Sequence, residues 1–316
     1  MKPILIISII ITSLILLFFL ILLIIYKMAF YNDNKTKQQL MISFDNPQYK
    51  PYKDYMLKLI EKAKNLPYEE IKIKSFDNKT LFGKYYHIND NAPIDIYFHG
   101  YKGTPVSDFS GGINISINNG HNFILVDQRG CGKSDGITIS FGIKERYDTL
   151  SWVNYVNNRF GKNIPITLIG ISMGASTVLM ASNLTFTDNV KAIIADCPFS
   201  NPLDMILIVA KKKHINPKIV KPFVILSAKI IGNFNINETN VLQCVKESNL
   251  PILLIHGTDD HLVPYYMSEE IAKVNKKIEL HLFEAAPHGI SFIINQNKYE
   301  NIVNNFISQH IKISTL

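Results

Sequence analysis

Ser172 is the residue in this sequence most suited to chemistry, because of the residues that flank it. The stretch from Gly170 to Gly174 reads Gly-Ile-Ser-Met-Gly and fits the pattern Gly-x-Ser-x-Gly. A short apolar run, 166–169, precedes it, and small and apolar residues at helical spacing follow it. This context predicts a buried strand, a sharp turn and a helix. Glycines on both sides make room for such a turn, so Ser172 is expected to expose its hydroxyl beside a helix N-terminus, as a nucleophile would.

A serine hydroxyl is a poor nucleophile until a base takes its proton, and an acid must hold that base in one tautomer. Two loops downstream of Ser172 carry suitable residues. A predicted strand at 252–255 runs into a loop with Asp259 and Asp260, and a predicted strand at 278–283 runs into a loop with His288. The chain order serine, acid, histidine, each after a strand, predicts His288 as the base and an aspartate of the first loop as the acid.

Strand-like and helix-like patterns alternate along most of the chain. A β-hairpin is predicted over 70–76 and 81–88, and buried strands over 94–99, 123–127, 166–169, 191–196, 251–256 and 278–283. Helices are predicted over 53–65, 142–160, 173–183, 264–274 and 289–310. This alternation predicts an α/β domain with a mostly parallel sheet of about eight strands and helices on both faces.

Composition narrows the class of protein. The chain has 316 residues, 47% of them hydrophobic, which is enough for one large α/β domain with a buried core. Its formal charge of +7 favours anionic surfaces in general, and no nucleic-acid-binding motif accompanies it. The three cysteines suit neither a disulfide framework nor a zinc site, and the histidines and carboxylates match no metal-ligand spacing. We therefore expect no nucleic-acid partner, no metal and no cofactor.

An apolar run from Ile4 to Ile25 lies between Lys2 and Lys27. As a helix it would be about 33 Å long, enough to cross the hydrocarbon core of a bilayer. A cleaved signal peptide is the alternative, but its apolar region is normally shorter and no small-x-small cleavage site follows here. We predict an uncleaved transmembrane anchor over 1–27, a polar tether and an amphipathic helix over 28–67, and the α/β domain over 68–316.

From about Tyr68 to its end, the sequence resembles the α/β-hydrolase superfamily, and most of all bacterial single-pass membrane members near the esterase and serine-peptidase branches. Besides the Gly-x-Ser-x-Gly turn, the resemblance rests on 98–103 (FHGYKG), 127–134 (DQRGCGKS) and 142–148 (GIKERYD). It implies the α/β-hydrolase fold and a Ser-His-Asp triad. The family's acid loop reads His-Gly-x-x-Asp-x-x-Val-Pro, which implies Asp260 as the acid. Asp196, after another predicted strand, is the alternative.

Attack on an acyl carbonyl puts negative charge on its oxygen, which backbone N–H donors stabilise. One donor is expected at Met173, directly after the serine, and the resemblance places the other at Tyr101. We expect a membrane-anchored serine hydrolase that cleaves an ester, thioester or amide of a small acyl substrate or lipid, with carboxylesterase- or lipase-like activity favoured. A serine peptidase or an acyltransferase would use the same triad. A non-catalytic binding module of the same fold is the alternative from another class.

Residues 201–248 interrupt the strand pattern, and by resemblance they form a small helical lid above the nucleophile. Helices are predicted over 203–213 and 221–231. One wide, mainly apolar arc of the second helix carries Phe223, Leu226, Ser227, Ile230 and Ile231. This arc either packs on the domain beneath or lines an acyl pocket. In the second case, lysines of the lid are expected to contact anionic lipid headgroups; they are Lys211, Lys212, Lys213, Lys221 and Lys229.

Flanking charges leave the orientation of the apolar run open. The amino terminus and Lys2 lie on one side, and Lys27, Lys35 and Lys37 lie on the other, which mildly favours a cytoplasmic domain. Resemblance to anchored bacterial surface hydrolases favours the outer face. We expect a single-pass protein of the cell membrane with an extracytoplasmic catalytic domain.

Overall fold

The computed structural model describes residues 3–32 and 46–311. A long apolar helix, α1 (Pro3–Ala29), begins the chain, and a 3-10 turn at Lys50–Tyr52 leads into α2 (Lys53–Lys64). The next elements are β1 Glu69–Lys74, β2 Thr80–Tyr86, β3 Ile94–Phe98, α3 Pro105–Asp108, α4 Ile113–Asn118, β4 Asn122–Asp127, α5 Glu145–Phe160, β5 Ile166–Ile171, α6 Met173–Ala181 and β6 Val190–Asp196. The chain continues through α7 Pro202–Lys212, α8 Pro217–Ile230, α9 Val241–Glu247, β7 Ile252–Gly257, α10 Tyr266–Val274, β8 Ile278–Phe283, α11 Ser291–Ile294 and α12 Gln296–His310.

The strands form one eight-stranded sheet in the order β1-β2-β4-β3-β5-β6-β7-β8. The hairpin β1–β2 is antiparallel and β2 pairs antiparallel with β4, whereas every pair from β4–β3 to β7–β8 is parallel. The interior strands β3, β5 and β7 are buried at every position, as expected when helices cover both faces of a parallel sheet. The mostly parallel sheet of about eight strands is thus confirmed, as is the fold that the resemblance implied.

Several helix ends differ from the sequence-based expectation for local reasons. Helix α5 begins at Glu145, because the Glu145 carboxylate accepts hydrogen bonds from the N–H groups of Ser140 and Gly142 and holds the preceding turn outside the helix. The predicted helix at 289–310 divides into α11 and α12. Asn295 separates them, since its backbone is not helical (φ −149°, ψ 83°) and its side chain caps α12 by accepting from the Lys298 N–H.

The segment 201–248, which we call the lid segment, contains α7, α8 and α9. Each helix begins after an asparagine whose side chain accepts from a first-turn N–H: Asn201, Asn216 and Asn240. Helix α8 starts earlier than expected, at Pro217, a residue that suits the first helical position. Its buried residues are Val224, Ser227 and Ala228, whereas Ile230, expected on the apolar arc, is 49% exposed. The expected arc is therefore wrong in part, because α8 packs on both α7 and α1.

Within the described residues, α1 is the helix long and apolar enough to cross a membrane, a property that signal sequences share. Residues 3–17 are exposed. The C-terminal part of the helix packs on the α/β domain instead, with the side chains of Leu22, Tyr26 and Phe30 buried. The spacing of these residues by four places them on one helix face.

Polar contacts accompany this packing. The Ser227 hydroxyl of α8 donates to the Leu22 carbonyl over 2.9 Å, and the Tyr26 and Thr138 hydroxyls are 2.6 Å apart. The Phe30 carbonyl accepts from the Ile139 N–H over 2.7 Å. The helix thus extends past residue 27, where the anchor was expected to end, and joins the domain. The division of the chain into anchor, tether and domain stays a prediction, and most of the expected tether, 33–45, lies outside the described residues.

We expect Phe30→Ala to destabilise the protein by about 3–5 kcal/mol, because a fully buried aromatic ring would leave a cavity. The Phe30 ring is fully buried and packs edge-on against Phe141 and Phe234. Thermal unfolding of the full chain in detergent micelles measures the effect. Leu23→Ala is the control, since Leu23 is 40% exposed on the same helix. Equal, small effects of both changes would show that the end of α1 is not part of the folded domain.

Candidate active site

Ser172 occupies a strained turn between β5 and α6. Its φ of 54° and ψ of −118° lie in a region that non-glycine residues rarely adopt. The Ser172 N–H donates to the Asp196 carbonyl over 2.8 Å and so holds the turn. A Cβ at Gly174 would lie 1.8 Å from the Phe98 carbonyl oxygen, and one at Gly170 would lie 2.3 Å from the Gly174 oxygen. Both glycines are therefore required by close backbone approach.

Ser172, His288 and Asp260 form one hydrogen-bonded row. Ser172 Oγ lies 2.9 Å from His288 Nε2, and His288 Nδ1 lies 2.6 Å from Asp260 Oδ2. Because Nδ1 faces a carboxylate it carries the imidazole proton, which leaves Nε2 as the acceptor for the serine hydroxyl. The three residues follow β5, β8 and β7, and all three are buried. This arrangement is able to take the proton from the Ser172 hydroxyl.

The Asp260 carboxylate is surrounded by hydrogen-bond donors. Its Oδ1 accepts from the N–H groups of Leu262 and Val263, both over 2.8 Å, and its Oδ2 also lies 3.1 Å from His256 Nε2. Burial opposes ionisation of this group, but the charge of His288 and hydrogen bonds from His256 and His288 outweigh it and hold the pKa of Asp260 well below its usual range. The acid is therefore ionised at neutral and mildly acidic pH.

His256 supports Asp260, a contact that the sequence analysis did not identify. Its Nε2 faces two acceptors, Asp260 Oδ2 and the Val263 carbonyl 3.0 Å away, so this nitrogen carries the proton. The other ring nitrogen, Nδ1, accepts from the Ser268 hydroxyl over 2.7 Å. The position of His256 four residues before Asp260 was the available sequence signal, but spacing alone does not show that a loop folds back on its own strand.

The other aspartates considered as acids have different partners. The Asp259 side chain is half-exposed and accepts from Gln48 Nε2 over 3.0 Å. The Asp196 carboxylate accepts from the Tyr299 hydroxyl over 3.1 Å, and burial raises the pKa of Asp196 to about 6. Among these three carboxylates, Asp260 is the one that forms the hydrogen bond with His288 Nδ1.

Tyr101 and Met173, the expected oxyanion donors, border the same cavity as Ser172. Met173 is the first residue of α6, so its N–H is one of the donors that a helix start leaves without an intrahelical acceptor. In the ranges 3–32 and 46–311, the Tyr101 N–H likewise forms no hydrogen bond to a protein acceptor. Both N–H groups thus belong to residues that line the cavity, and their role stays a prediction.

Buried polar residues hold the loop that carries Tyr101. The N–H of Gly100 donates to Asp108 Oδ2 over 2.8 Å, and His99 Nδ1 donates to the Gly100 carbonyl over 2.7 Å. His99 Nε2 accepts from the Gln128 N–H over 3.1 Å, which fixes the tautomer of the ring. Burial raises the pKa of Asp108. His99 therefore shapes this loop, whereas no sequence pattern had indicated Asp108.

An apolar cavity of about 250 Å³ borders Ser172. Helix α1 contributes Ile25, Met28 and Ala29 to its lining, and α8 contributes Val220 and Val224. Residues of α7, of the loop after β7 and of several other loops complete the lining. The nucleophile candidate thus lies beside a space that suits a hydrocarbon group rather than a polar one.

Cys197 lies close to the hydrogen-bonded row, with its Sγ 3.9 Å from His288 Nε2. Ligand atoms of Cys197, Asp260 and His288 all lie within 4.8 Å of one another, close enough to hold a metal ion. A metal ion would need a Cys197 thiolate as a ligand. It would also need the lone pair of His288 that accepts the hydrogen bond from the Ser172 hydroxyl. Burial raises the pKa of the Cys197 thiol well above its usual value, so the thiol keeps its proton. These residues therefore suit proton transfer better than metal binding.

Comparisons with known proteins place these features in context. A family model described as alpha/beta hydrolase fold matches residues 96–227. YqkD of Bacillus subtilis (strain 168) is 25% identical over 247 residues, which are 76% of this chain and 81% of YqkD. The lysophosphatidylserine lipase ABHD12 of Danio rerio is 23% identical over 232 residues, 68% of this chain and 58% of its own length. The Pyrococcus furiosus esterase Pf2001 superposes with a TM-score of 0.64 at 23% identity, over 80% of this chain and 95% of the esterase.

We expect Asp260→Asn to lower the reactivity of Ser172 by about four orders of magnitude, since an amide no longer selects the tautomer of His288. The rate at which a fluorophosphonate labels Ser172 in the full chain is the measurement. Asp259→Asn is the matched control, and it should change this rate by less than about threefold because the half-exposed Asp259 contacts Gln48 rather than His288. A reversed order of effects would place the acid one residue earlier.

Proposed function

Because this chain belongs to the α/β-hydrolase superfamily, we propose that Ser172, His288 and Asp260 are the catalytic triad of a serine hydrolase that cleaves carboxylic esters. The observation that carries the proposal is the continuous row of contacts, 2.9 Å from Ser172 Oγ to His288 Nε2 and 2.6 Å from His288 Nδ1 to Asp260 Oδ2. A lone serine on a strained turn would support a structural role equally well, whereas this row supplies a base and an orienting acid.

In the acylation step, Ser172 Oγ attacks the ester carbonyl carbon while its proton passes to His288 Nε2. Negative charge then develops on the carbonyl oxygen, and the N–H groups of Met173 and Tyr101 stabilise it. The bond to the leaving alkoxide breaks as His288 returns the proton to the alkoxide oxygen. The ionised Asp260 stabilises the imidazolium that forms between these two transfers.

In the deacylation step, a water molecule attacks the acyl-enzyme and gives its proton to His288 Nε2. The second tetrahedral intermediate uses the same N–H donors, and His288 then protonates Ser172 Oγ as the acid product leaves. Replacement of the water by an alcohol or a thiol would give acyl transfer with unchanged residues.

The apolar cavity beside Ser172 favours an acyl ester with a hydrocarbon chain as the substrate. A peptide substrate would require polar partners for its backbone, whereas Lys213 is the one charged residue in the lining of this cavity among the residues that the structure describes. An esterase and a lysophosphatidylserine lipase among the similar proteins point the same way. We therefore favour a carboxylesterase- or lipase-like reaction over peptide hydrolysis.

We further propose that α1 is retained as a membrane anchor rather than removed as a signal sequence. Burial of Leu22, Tyr26 and Phe30 in the domain supports this, because removal of the helix would expose the apolar surface that these side chains cover. Localisation to the membrane with the catalytic domain outside stays a prediction, as argued from the sequence. Accessibility of the domain to protease added to intact cells would test that orientation.

The lid lysines are proposed to contact anionic headgroups, with one exception. The ammonium group of Lys212 donates to the carbonyls of His261 and Leu262 and so attaches the lid segment to the acid loop. Lys211, Lys213, Lys221 and Lys229 are all exposed. Lysines near an anionic surface each contribute on the order of 1 kcal/mol of attraction, screened by salt.

We expect Ser172→Ala to abolish fluorophosphonate labelling of the full chain and to lower ester hydrolysis by about 10⁴-fold or more, because the nucleophile is lost. His288→Ala should have a comparable effect, and the double variant should be no worse, since the triad acts as a unit. Ser308→Ala, an exposed serine on α12, is the control and should leave both readouts unchanged. Labelling that survives Ser172→Ala would identify another nucleophile and refute the proposal.

We expect simultaneous change of Lys211, Lys213, Lys221 and Lys229 to Gln to remove any preference for anionic lipid. The measurement is ester hydrolysis by the full chain in nanodiscs of phosphatidylcholine with or without phosphatidylglycerol, at low and high salt. A matched control changes four exposed lysines near the amino ends of the strands, which is the end of the sheet away from the lid segment. They are Lys162, Lys191, Lys273 and Lys276. An anionic-lipid preference that persists in the lid variant would contradict the lipid-facing role.

A further inference from the structure

We propose that the C-terminal end of α1 forms one wall of the acyl-binding site, so that the substrate is a single-chain ester amphiphile drawn from the membrane that holds α1. The inference rests on the proposed esterase function and names the substrate class and the residues that select it. Three features support this inference: the packing of α1 on α8, the hydrogen bond between α1 and Tyr101, and the direction in which the cavity extends from Ser172.

The contact face of α1, which carries Phe18, Leu22, Ile25 and Ala29, lies against α8 at the first two of these residues. The Phe18 and Phe223 rings are 6.2 Å apart, and one turn further along each helix the Ser227 hydroxyl reaches the Leu22 carbonyl. Both pairs advance by four residues in the same direction, so the two helices run parallel here. The start of α8 therefore points toward the N-terminal, exposed part of α1.

Beyond Leu22, toward the C-terminal end of α1, the contact face borders the cavity rather than a side chain of α8. Ile25 and Ala29, one turn apart, and the neighbouring Met28 line the space that Val220 and Val224 line from α8. The Tyr101 hydroxyl donates to the Ala29 carbonyl over 2.9 Å. The last turn of α1 is thus attached to the residue expected to supply an oxyanion donor.

The cavity extends from Ser172 toward the tip of the lid segment. Its lining includes Ser172 and Met173 at one end, and Lys213 and Ile215 in the connection between α7 and α8. Because α8 runs parallel to α1, this connection lies on the side toward which the apolar helix continues. An acyl chain bound at Ser172 would therefore lie along α1, with its free end directed to the bilayer.

The size and surroundings of the cavity fit one chain. An engineered apolar cavity of about 150 Å³ binds benzene, so by proportion a space of about 250 Å³ holds roughly ten carbons. A second chain of that length would lie outside this space. Met28, at the cavity, is 53% exposed, and Ile219, beside the lid tip, is 66% exposed. These apolar side chains provide a surface along which a hydrocarbon chain leaves the bilayer without crossing water.

The test uses the full chain in nanodiscs and p-nitrophenyl acetate and decanoate as probes. Ala29→Phe fills the cavity from the α1 side, so the ratio of kcat/KM for decanoate to that for acetate should fall at least about tenfold, since each excluded methylene contributes about fourfold. Ile25→Ala enlarges the cavity and should move the optimum to longer chains. Leu23→Phe, on the exposed face of the same helix, is the control and should leave the ratio unchanged.

The outcomes separate the two proposals. If the parent chain shows no Ser172-dependent labelling or hydrolysis, the proposed function fails. If the parent hydrolyses esters but Ala29→Phe and Ile25→Ala leave chain-length preference as it is, the inference about α1 fails. Equal hydrolysis of 1-monodecanoylglycerol and 1,2-didecanoyl phosphatidylcholine in the same nanodiscs would overturn the single-chain assignment, whereas a preference for the monoacyl ester supports it.

Discussion

The close approach of α6 to the carboxyl end of β3 is the constraint on which the site depends. A Cβ at Gly174 would lie 1.8 Å from the Phe98 carbonyl oxygen, so this approach is open to glycine alone. The contact sharpens the turn, and Ser172 takes up the strain in its backbone. The result is a serine hydroxyl at the cavity wall, with the N–H of Met173 directly after it at a helix start. The positions of the proposed nucleophile and of one proposed oxyanion donor thus follow from one steric requirement.

A buried carboxylate is costly unless its surroundings favour the charge, and the acid loop satisfies this condition. Asp260 accepts from two backbone N–H groups of its own loop and contacts two histidines, His256 and His288. Because two of these four partners belong to the loop itself, the carboxylate is held in place by its own backbone before any substrate binds. His288 is then oriented by a carboxylate that has little freedom to move, which is the preorganisation that general-base chemistry requires.

Helix α1 has two different surroundings along its length. Its N-terminal part is apolar and exposed, as a membrane span must be, while Leu22, Tyr26 and Phe30 are buried in the domain. A flexible linker would allow the domain to move freely relative to a bilayer, whereas packing of this kind fixes the position of the lid segment relative to the helix axis. If α1 is a retained anchor, the cavity has one defined orientation toward the membrane.

The sequence by itself determined most of the strands and helices and the candidate catalytic residues. The Gly-x-Ser-x-Gly turn between a strand and a helix, and the loops after later strands that hold Asp260 and His288, could be recognised because local propensity and chain order carry that information. Only the tertiary structure decided that His256 contacts Asp260, and that Ala29 shares a cavity with Ser172. These contacts depend on how loops fold back and on how separate helices pack, and apolar periodicity indicates that a helix face is covered without indicating which partner covers it.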